Sequence, residues 1–328
     1  MPSGYVRWHA GRETGREQVI IWDARWVDAG PLRLFSESAG AGDDTVLLVM
    51  GTSAAGFGWP DALVERILRT GRRVIRFDHR DTGRSSTVDI ATDPYTVDDM
   101  AADASAVLDA WGAAAAHVVG LSLGGTIAQW LAVNTPGRVN SAILLCSSPM
   151  DVDAGPAIAS ALAGRPAPPG TLPPPTPAFL QYLTERAAGA HDAGAADPEA
   201  ESITMWSLLA GTQRPFDRVT AQRFVRDTLA LATSPTRASQ HDVAGRVMTA
   251  ARTRPIEHIA CPTLVVHGSA DPILPPEHGQ ALMERIPEAR GHVLPGVGHG
   301  LFTIGLPAEI GSLIVEHLDR VRKPDPES

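Results

Sequence analysis

The stretch HVVGLSLGGTIAQWLA, residues 117–132, decides the fold. An apolar run reaches Gly120, a serine follows at 122 between glycines, and helix-forming residues start at once. Residues 120–124, GLSLG, match the G-x-S-x-G pattern that sets a serine on a strained strand-to-helix turn. Residues two before and two after such a serine must be small to avoid clashing. Gly120 and Gly124 meet that demand, and Gly125 lets the helix pack close to the sheet. The helix beneath Ser122 would aim the partial positive charge of its N-terminus at a developing oxyanion. A packing turn with an incidental serine is the plain alternative. The strand before and the helix after favour a nucleophile.

Outward from this point, short apolar runs alternate with helical patterns. TVLLVMG (45–51), RRVIRFD (72–78), HVVGLS (117–122) and SAILLCSS (141–148) read as strands. PDALVERILRTG (60–71) reads as a helix opened by proline and stopped at Gly71. TVDDMAADASAVLDAWG (96–112) reads as another, with Thr96 as N-cap and Asp99 three residues on. ARWVDAGPLRLFSES, ahead of these, reads as a hairpin. Strand–helix–strand spacing of this kind implies right-handed crossovers and a mostly parallel sheet covered by helices on both faces. The alternation lapses between about 150 and 254, where a Pro-rich stretch (163–177) precedes four helical segments. It resumes with PTLVVHGSADP (262–272), a helix at 276–287, ARGHVLPGVGHG (289–300) and a last helix from 303. The expected organisation is therefore an N-terminal extension (1–24), an α/β core (25–149 and 255–322), a mainly helical cap inserted at 150–254, and a disordered tail (323–328).

Composition narrows the function. The 328 residues are 44% hydrophobic and 20% charged, as in ordinary globular domains. The net charge of −9, with no run of Lys and Arg, argues against nucleic acid as a partner. No apolar segment is long enough to span a bilayer, and the polar N-terminus does not read as a secretory signal. Two cysteines, Cys146 and Cys261, are too few for a disulfide framework and suggest a cytoplasmic setting. No Cys/His cluster stands at metal-ligand spacing, so neither a metal nor another cofactor is expected.

A serine nucleophile needs a base, and the base needs a carboxylate to hold its tautomer. In this architecture the chain order is Ser, acid, His. Asp271 in HGSADP follows an apolar strand, at the carboxyl edge where ligand sites of parallel sheets form. His299 lies in GVGHG after the next strand. Alone, Asp271 would pass for an Asp-Pro turn and His299 for a surface loop histidine; their order after Ser122 is what singles them out. Asp151 and Asp153, after the strand that ends near Ser148, are rivals for the acid or mark the entry to the cap. The amide of Leu123 is one oxyanion donor. The second is the amide of Thr52 in VMGTSAAGFGWP, unless that segment is only a flexible Gly/Ser loop. The charged stretch FDHRDTGRSS (77–86) reads as a hydrogen-bonded loop near the site. Phe179, Tyr182, Trp206 and Phe216 are candidates to line a substrate pocket in the cap, or are core at helical spacing.

MGTSAAGFGWP, VIRFDHRDTGRSS, HVVGLSLGG, DPILPPEHG and GVGHG, in this order, resemble the α/β-hydrolase superfamily. Within it they are most similar to the aclacinomycin (anthracycline) methylesterase type. The resemblance implies a nucleophile at Ser122, an acid at Asp271, a base at His299 and oxyanion donors at Thr52 and Leu123. It also implies a carboxylic ester of a polyketide-like small molecule as substrate. A lactonase or another reaction of the same triad, or a non-catalytic small-molecule receptor on this scaffold, are the alternatives. Oligomeric state has no signature in the sequence.

Overall fold

The computed structural model describes residues 6–7, 19–187, 197–231, 240–244 and 254–321. Strand β1 (Val6–Arg7) pairs antiparallel with β2 (Ile21–Ala29), which forms the expected hairpin with β3 (Leu32–Ala39). β2 starts at Ile21, inside the segment read as an extension. The reason is Trp22, 1% exposed, whose ring lies 3.8 Å beneath the Arg76 guanidinium. Trp26, the other tryptophan of this region, stays half-exposed and packs edge-on against Phe35.

The rest of the sheet follows the alternation. β4 (Thr45–Val49), β5 (Arg73–Phe77), β6 (Ala116–Leu121), β7 (Val139–Leu145), β8 (Thr263–Gly268) and β9 (Arg290–Leu294) run parallel. The strand order is β1-β2-β3-β5-β4-β6-β7-β8-β9. Side chains of a strand alternate between faces, so each buried strand feeds two cores. Leu47 and Val49 face α2 (Val97–Ala110), α3 (Leu123–Asn134) and α9 (Glu277–Arg285). Val46 and Leu48 face α1 (Asp61–Leu68) and α10 (Leu306–Val321). The capping box at the start of α2 forms as read: the Thr96 hydroxyl accepts from the first turn and Asp99 accepts from the Thr96 amide.

The strands are not uniformly apolar. Glu37 on β3 pairs in register with Arg76 on β5, and their charges meet at 2.8 Å with both side chains almost fully buried. A buried guanidinium is tolerable because the carboxylate neutralises it and the Trp22 face covers it.

Residues 150–254 contribute helices to the described structure. α4 (Gly155–Leu162), not among the expected helices, is opened by a Gly-Pro pair. The Pro-rich stretch behind it has no regular structure up to Thr176. It is tied down where the Thr176 amide donates to Pro272 C=O at 2.8 Å and His278 Nε2 donates to Pro173 C=O at 2.9 Å. α5 (Pro177–Ala187), α6 (Pro198–Ala210) and α7 (Arg218–Leu231) match three of the four helical segments. Of the fourth, only Gln240 and α8 (His241–Ala244) fall among the described residues. The tail 323–328 lies outside them. No helix of the described residues is long and apolar enough to cross a membrane.

Candidate active site

Parallel register brings the carboxyl ends of β4, β6, β7 and β8 to one edge: Val49 pairs with Gly120, Leu121 with Leu145, and Leu145 with Val266. Ser122 stands at this edge between β6 and α3, at φ 53° and ψ −116°. A non-glycine residue in the left-handed half of the map is under strain. Its backbone holds the conformation through the Ser122 amide to Leu145 C=O (2.8 Å), while Ser122 C=O accepts from the Gly125 amide (2.8 Å) and the Ser147 hydroxyl (3.0 Å).

Close approach explains the flanking glycines. A Cβ at Gly120 would stand 2.1 Å from Gly124 C=O, and one at Gly124 would stand 2.1 Å from Val49 C=O. Both obstacles are backbone and cannot rotate away. Gly120→Ala is therefore expected to cost about 3 kcal/mol or more. Chemical denaturation checks this; a midpoint like that of the wild type would disprove it.

Asp271 and His299 converge on Ser122. His299 Nδ1 lies 2.7 Å from Asp271 Oδ2, and its Nε2 lies 2.9 Å from Ser122 Oγ. The carboxylate can only accept, so Nδ1 carries the proton and Nε2 offers its lone pair to the serine hydroxyl. Asp271 Oδ1 accepts from the Ile273 and Leu274 amides at 2.9 and 2.8 Å, which fixes the carboxylate in a 2% exposed position. The loop carrying His299 is pinned from above: the His299 amide donates to Leu209 C=O of α6 at 2.7 Å. Ser122 keeps partial exposure while Asp271 and His299 are buried.

The rival carboxylates are engaged elsewhere. Asp151 meets Arg285 at 2.6 and 2.9 Å and accepts from the Ile256 amide, and Asp153 accepts from the Gly155 amide at the start of α4.

The segments carrying the two amides singled out as donors both meet Ser122. Leu123 opens α3, whose first N–H groups have no acceptor inside the helix. The turn carrying Thr52 abuts the serine: a Cβ at Gly51 would stand 3.4 Å from Ser122 Cβ. The charged stretch 77–86 braces this turn. Asp78 accepts from the Gly56 and Arg84 amides at 2.8 and 3.0 Å, and Arg80 grips Asp103 through two hydrogen bonds. Burial pushes the Asp78 carboxyl up to about 6.

His79, from the same stretch, donates from Nε2 to Met50 C=O at 3.0 Å. Complete burial holds its imidazole down to about 3, and the nearby His241 ring adds to this. The unfolded chain therefore binds a proton at His79 between about pH 6.5 and pH 3 that the folded chain refuses. Stability associated with His79 is present above pH 6.5 and is lost as pH falls through that window. His79→Gln keeps an amide donor for Met50 without the titration. Between pH 7 and pH 5 the wild type should lose about 2 kcal/mol relative to this variant. Urea unfolding at the two pH values measures the difference, and an unchanged gap would contradict it.

Among the aromatic candidates, Phe179, Tyr182 and Trp206 share one cluster with Leu209 and with Ile273, two residues past Asp271. Trp206 also lies against Gly300 and edge-on to Phe302. Phe216 does not join them; its backbone bridges to Thr303 and its ring packs on the core of the α1/α10 face. Phe57, Trp59, Arg76, Phe224 and Phe302, none of them anticipated, line a cleft of about 100 Å³ whose lining includes none of Ser122, Asp271 or His299.

Cys146, which the sequence presents only as one of two cysteines, sits beside Asp271 at φ +44°. Ligand atoms of Cys146, Asp271 and His299 lie within 4.8 Å of one another. This is a poor metal site. A thiol ligates as thiolate, and burial, reinforced by the Asp271 charge, pushes the Cys146 thiol well above its ordinary value. Both ring nitrogens of His299 are also already engaged.

Residues 44–305 match the family model described as the alpha/beta hydrolase fold. The chain belongs to the α/β-hydrolase family. Among its relatives are rhodomycin D methylesterase DnrP of Streptomyces peucetius and DauP of Streptomyces sp. (strain C5). Each is 37% identical over 283 residues, 84% of this chain and 92% of the relative, in line with the resemblance read from the sequence. Solved structures of the same fold include an esterase from Exiguobacterium antarcticum (TM-score 0.66, 21% identical, 90% of this chain and 98% of that one). The 2-hydroxy-6-oxo-6-phenylhexa-2,4-dienoate hydrolase of Rhodococcus sp. strain RHA1 is another (TM-score 0.68, 18% identical, 92% and 99%). This hydrolase thus combines the family's fold with a serine, a histidine and a carboxylate in hydrogen-bond contact.

Proposed function

We propose that the protein is a serine esterase that hydrolyses the methyl ester of a polyketide-like small molecule through an acyl-enzyme on Ser122. The observation that carries the reading is the hydrogen-bond chain Ser122 Oγ–His299–Asp271, at 2.9 and 2.7 Å. His299 Nε2 takes the Ser122 proton as Oγ attacks the ester carbonyl. The Leu123 and Thr52 amides receive the negative charge that develops on the carbonyl oxygen. The tetrahedral intermediate collapses, and His299 returns the proton to the departing methoxide, which leaves as methanol. Water, deprotonated by His299, then attacks the acyl carbonyl and frees Ser122. Asp271 holds the imidazole tautomer throughout. The mechanism calls on no cofactor. The helices of 150–254 act as a cap over the site, with Phe179, Tyr182 and Trp206 toward the substrate.

The hydrogen-bonded site supports acyl transfer to Ser122, whereas the ester class, and within it the methyl ester of an anthracycline-like acid, rest on the names of the two Streptomyces relatives. Methanol release from rhodomycin D, beside a panel of short-chain p-nitrophenyl esters and lactones, tests both levels. Ser122-dependent methanol release is the expected result. Turnover of simple esters or lactones alone would overturn the substrate, and turnover that survives loss of Ser122 would overturn the mechanism.

A further inference from the structure

The turn that carries Thr52 is held by a residue from far along the chain. His241 opens α8 and is fully buried. Its Nδ1 lies 3.1 Å from the Ser53 amide nitrogen and its Nε2 lies 2.7 Å from Arg80 C=O. An amide can only donate and a carbonyl can only accept, so the proton sits on Nε2 and the tautomer is determined. Gln240, next to it, fastens α8 to the same floor. Its side chain accepts from the Ile90 amide at 2.8 Å and donates to Val88 C=O at 2.9 Å.

The conformation of the turn shows why it needs such a partner. The Ala54 amide donates to Gly51 C=O at 3.3 Å, so Thr52 and Ser53 are the central residues of a β-turn. Ser53 sits at φ +62°. Positive φ at the third position is the type II arrangement, which glycine or asparagine normally supplies. A serine there favours the type I alternative, in which the peptide between Thr52 and Ser53 is turned over. That flip would take the Ser53 N–H away from His241 and reverse the dipole next to the Thr52 amide. The turn abuts Ser122, and its other shoulder, Met50 C=O, is held by His79.

We propose that His241 is a positioning residue: by accepting from the Ser53 amide it holds the strained turn that presents the Thr52 N–H to the reacting oxyanion. The inference rests on the serine-esterase reading above. It extends that reading to a histidine that touches neither the ester nor the other three side chains of the site. Conformational preorganisation of one donor is the quantity at stake, and a single oxyanion donor contributes on the order of 10²–10³ in kcat.

Two isosteric variants separate the hydrogen bonds that His241 makes to Ser53 and to Arg80. A glutamine nitrogen reaches the Nε2 position and an asparagine oxygen the Nδ1 position. His241→Gln therefore keeps the Arg80 bond without an acceptor for Ser53, whereas His241→Asn keeps the acceptor. With p-nitrophenyl acetate, His241→Gln is expected to lose roughly 10²-fold in kcat with KM within about twofold. Inhibition by phenylboronic acid, whose Ser122 adduct is tetrahedral, should weaken in parallel. His241→Asn should recover most of the loss. Ser53→Gly in the His241→Gln background should recover it too, because glycine holds positive φ unaided.

A wild-type kcat in folded His241→Gln, or a hundredfold loss in folded His241→Asn, would overturn the proposal. If His241→Gln does not fold, His241→Asn decides alone: near-normal kcat supports the positioning role and a hundredfold loss refutes it. Failure of the esterase reading itself looks different, because Ser122→Ala would then retain activity.

Discussion

Ser122→Ala is expected to lower kcat for ester hydrolysis by roughly 10⁴- to 10⁶-fold while leaving the folded state intact. The size of the effect follows from the covalent route. Without Oγ there is no acyl-enzyme, His299 has no hydroxyl to deprotonate, and only the oxyanion donors and binding energy remain to assist attack by water. Fluorophosphonate labelling should vanish in the same variant. Stability should change little, because alanine at 122 inherits the positive φ and the hydrogen bond that its amide donates to Leu145 C=O. Ser122→Gly separates chemistry from strain: equally inactive, it should be more stable by about 1 kcal/mol, since glycine adopts φ 53° without penalty. Hydrolysis or labelling that persists in purified Ser122→Ala would overturn the proposed mechanism outright.

The second large effect distinguishes the carboxylates. Asp271→Asn is expected to reduce kcat by about 10⁴-fold. The amide oxygen can still accept from Ile273 and Leu274, so the side chain stays in place. Its nitrogen then donates to His299 Nδ1, which forces the imidazole proton onto Nε2. That nitrogen faces Ser122 Oγ at 2.9 Å and can no longer accept its proton. Asp151→Asn weakens the pair with Arg285 and should leave kcat within about threefold of wild type. Steady-state kinetics on the two variants, with Tm as a control for folding, is the measurement. If Asp151→Asn collapses activity and Asp271→Asn does not, the acid has been assigned to the wrong strand.

The site was legible in sequence where local sterics and chain order carried the information. A serine on a sharp turn needs small neighbours within two residues, so GLSLG announces itself. Strand and helix periodicity then puts Asp271 and His299 in loops at one sheet edge. Other parts left no local trace. α4 gives no clear helical signal because its short alanine-rich run leads straight into a proline-rich stretch. Cys146 looked like any apolar residue at a strand end. His241 was one of eleven scattered histidines, and nothing near it in the chain points to Ser53. The buried pairing of Glu37 with Arg76 has no local signal either, because each charge is tolerable only beside the other.

By itself, then, the amino-acid sequence determined the strand–helix alternation, the tight turn at Ser122 and the order of the three site side chains. These depend on side-chain size and periodicity over a few residues. Only the tertiary structure decided which carboxylate faces His299, since Asp151 and Asp271 both follow parallel strands and differ in what packs against them. It alone brought His241 under the turn at Thr52. Hydrogen bonds between residues 188 apart have no signature in either segment; they exist because the sheet and the helices covering it enforce that proximity.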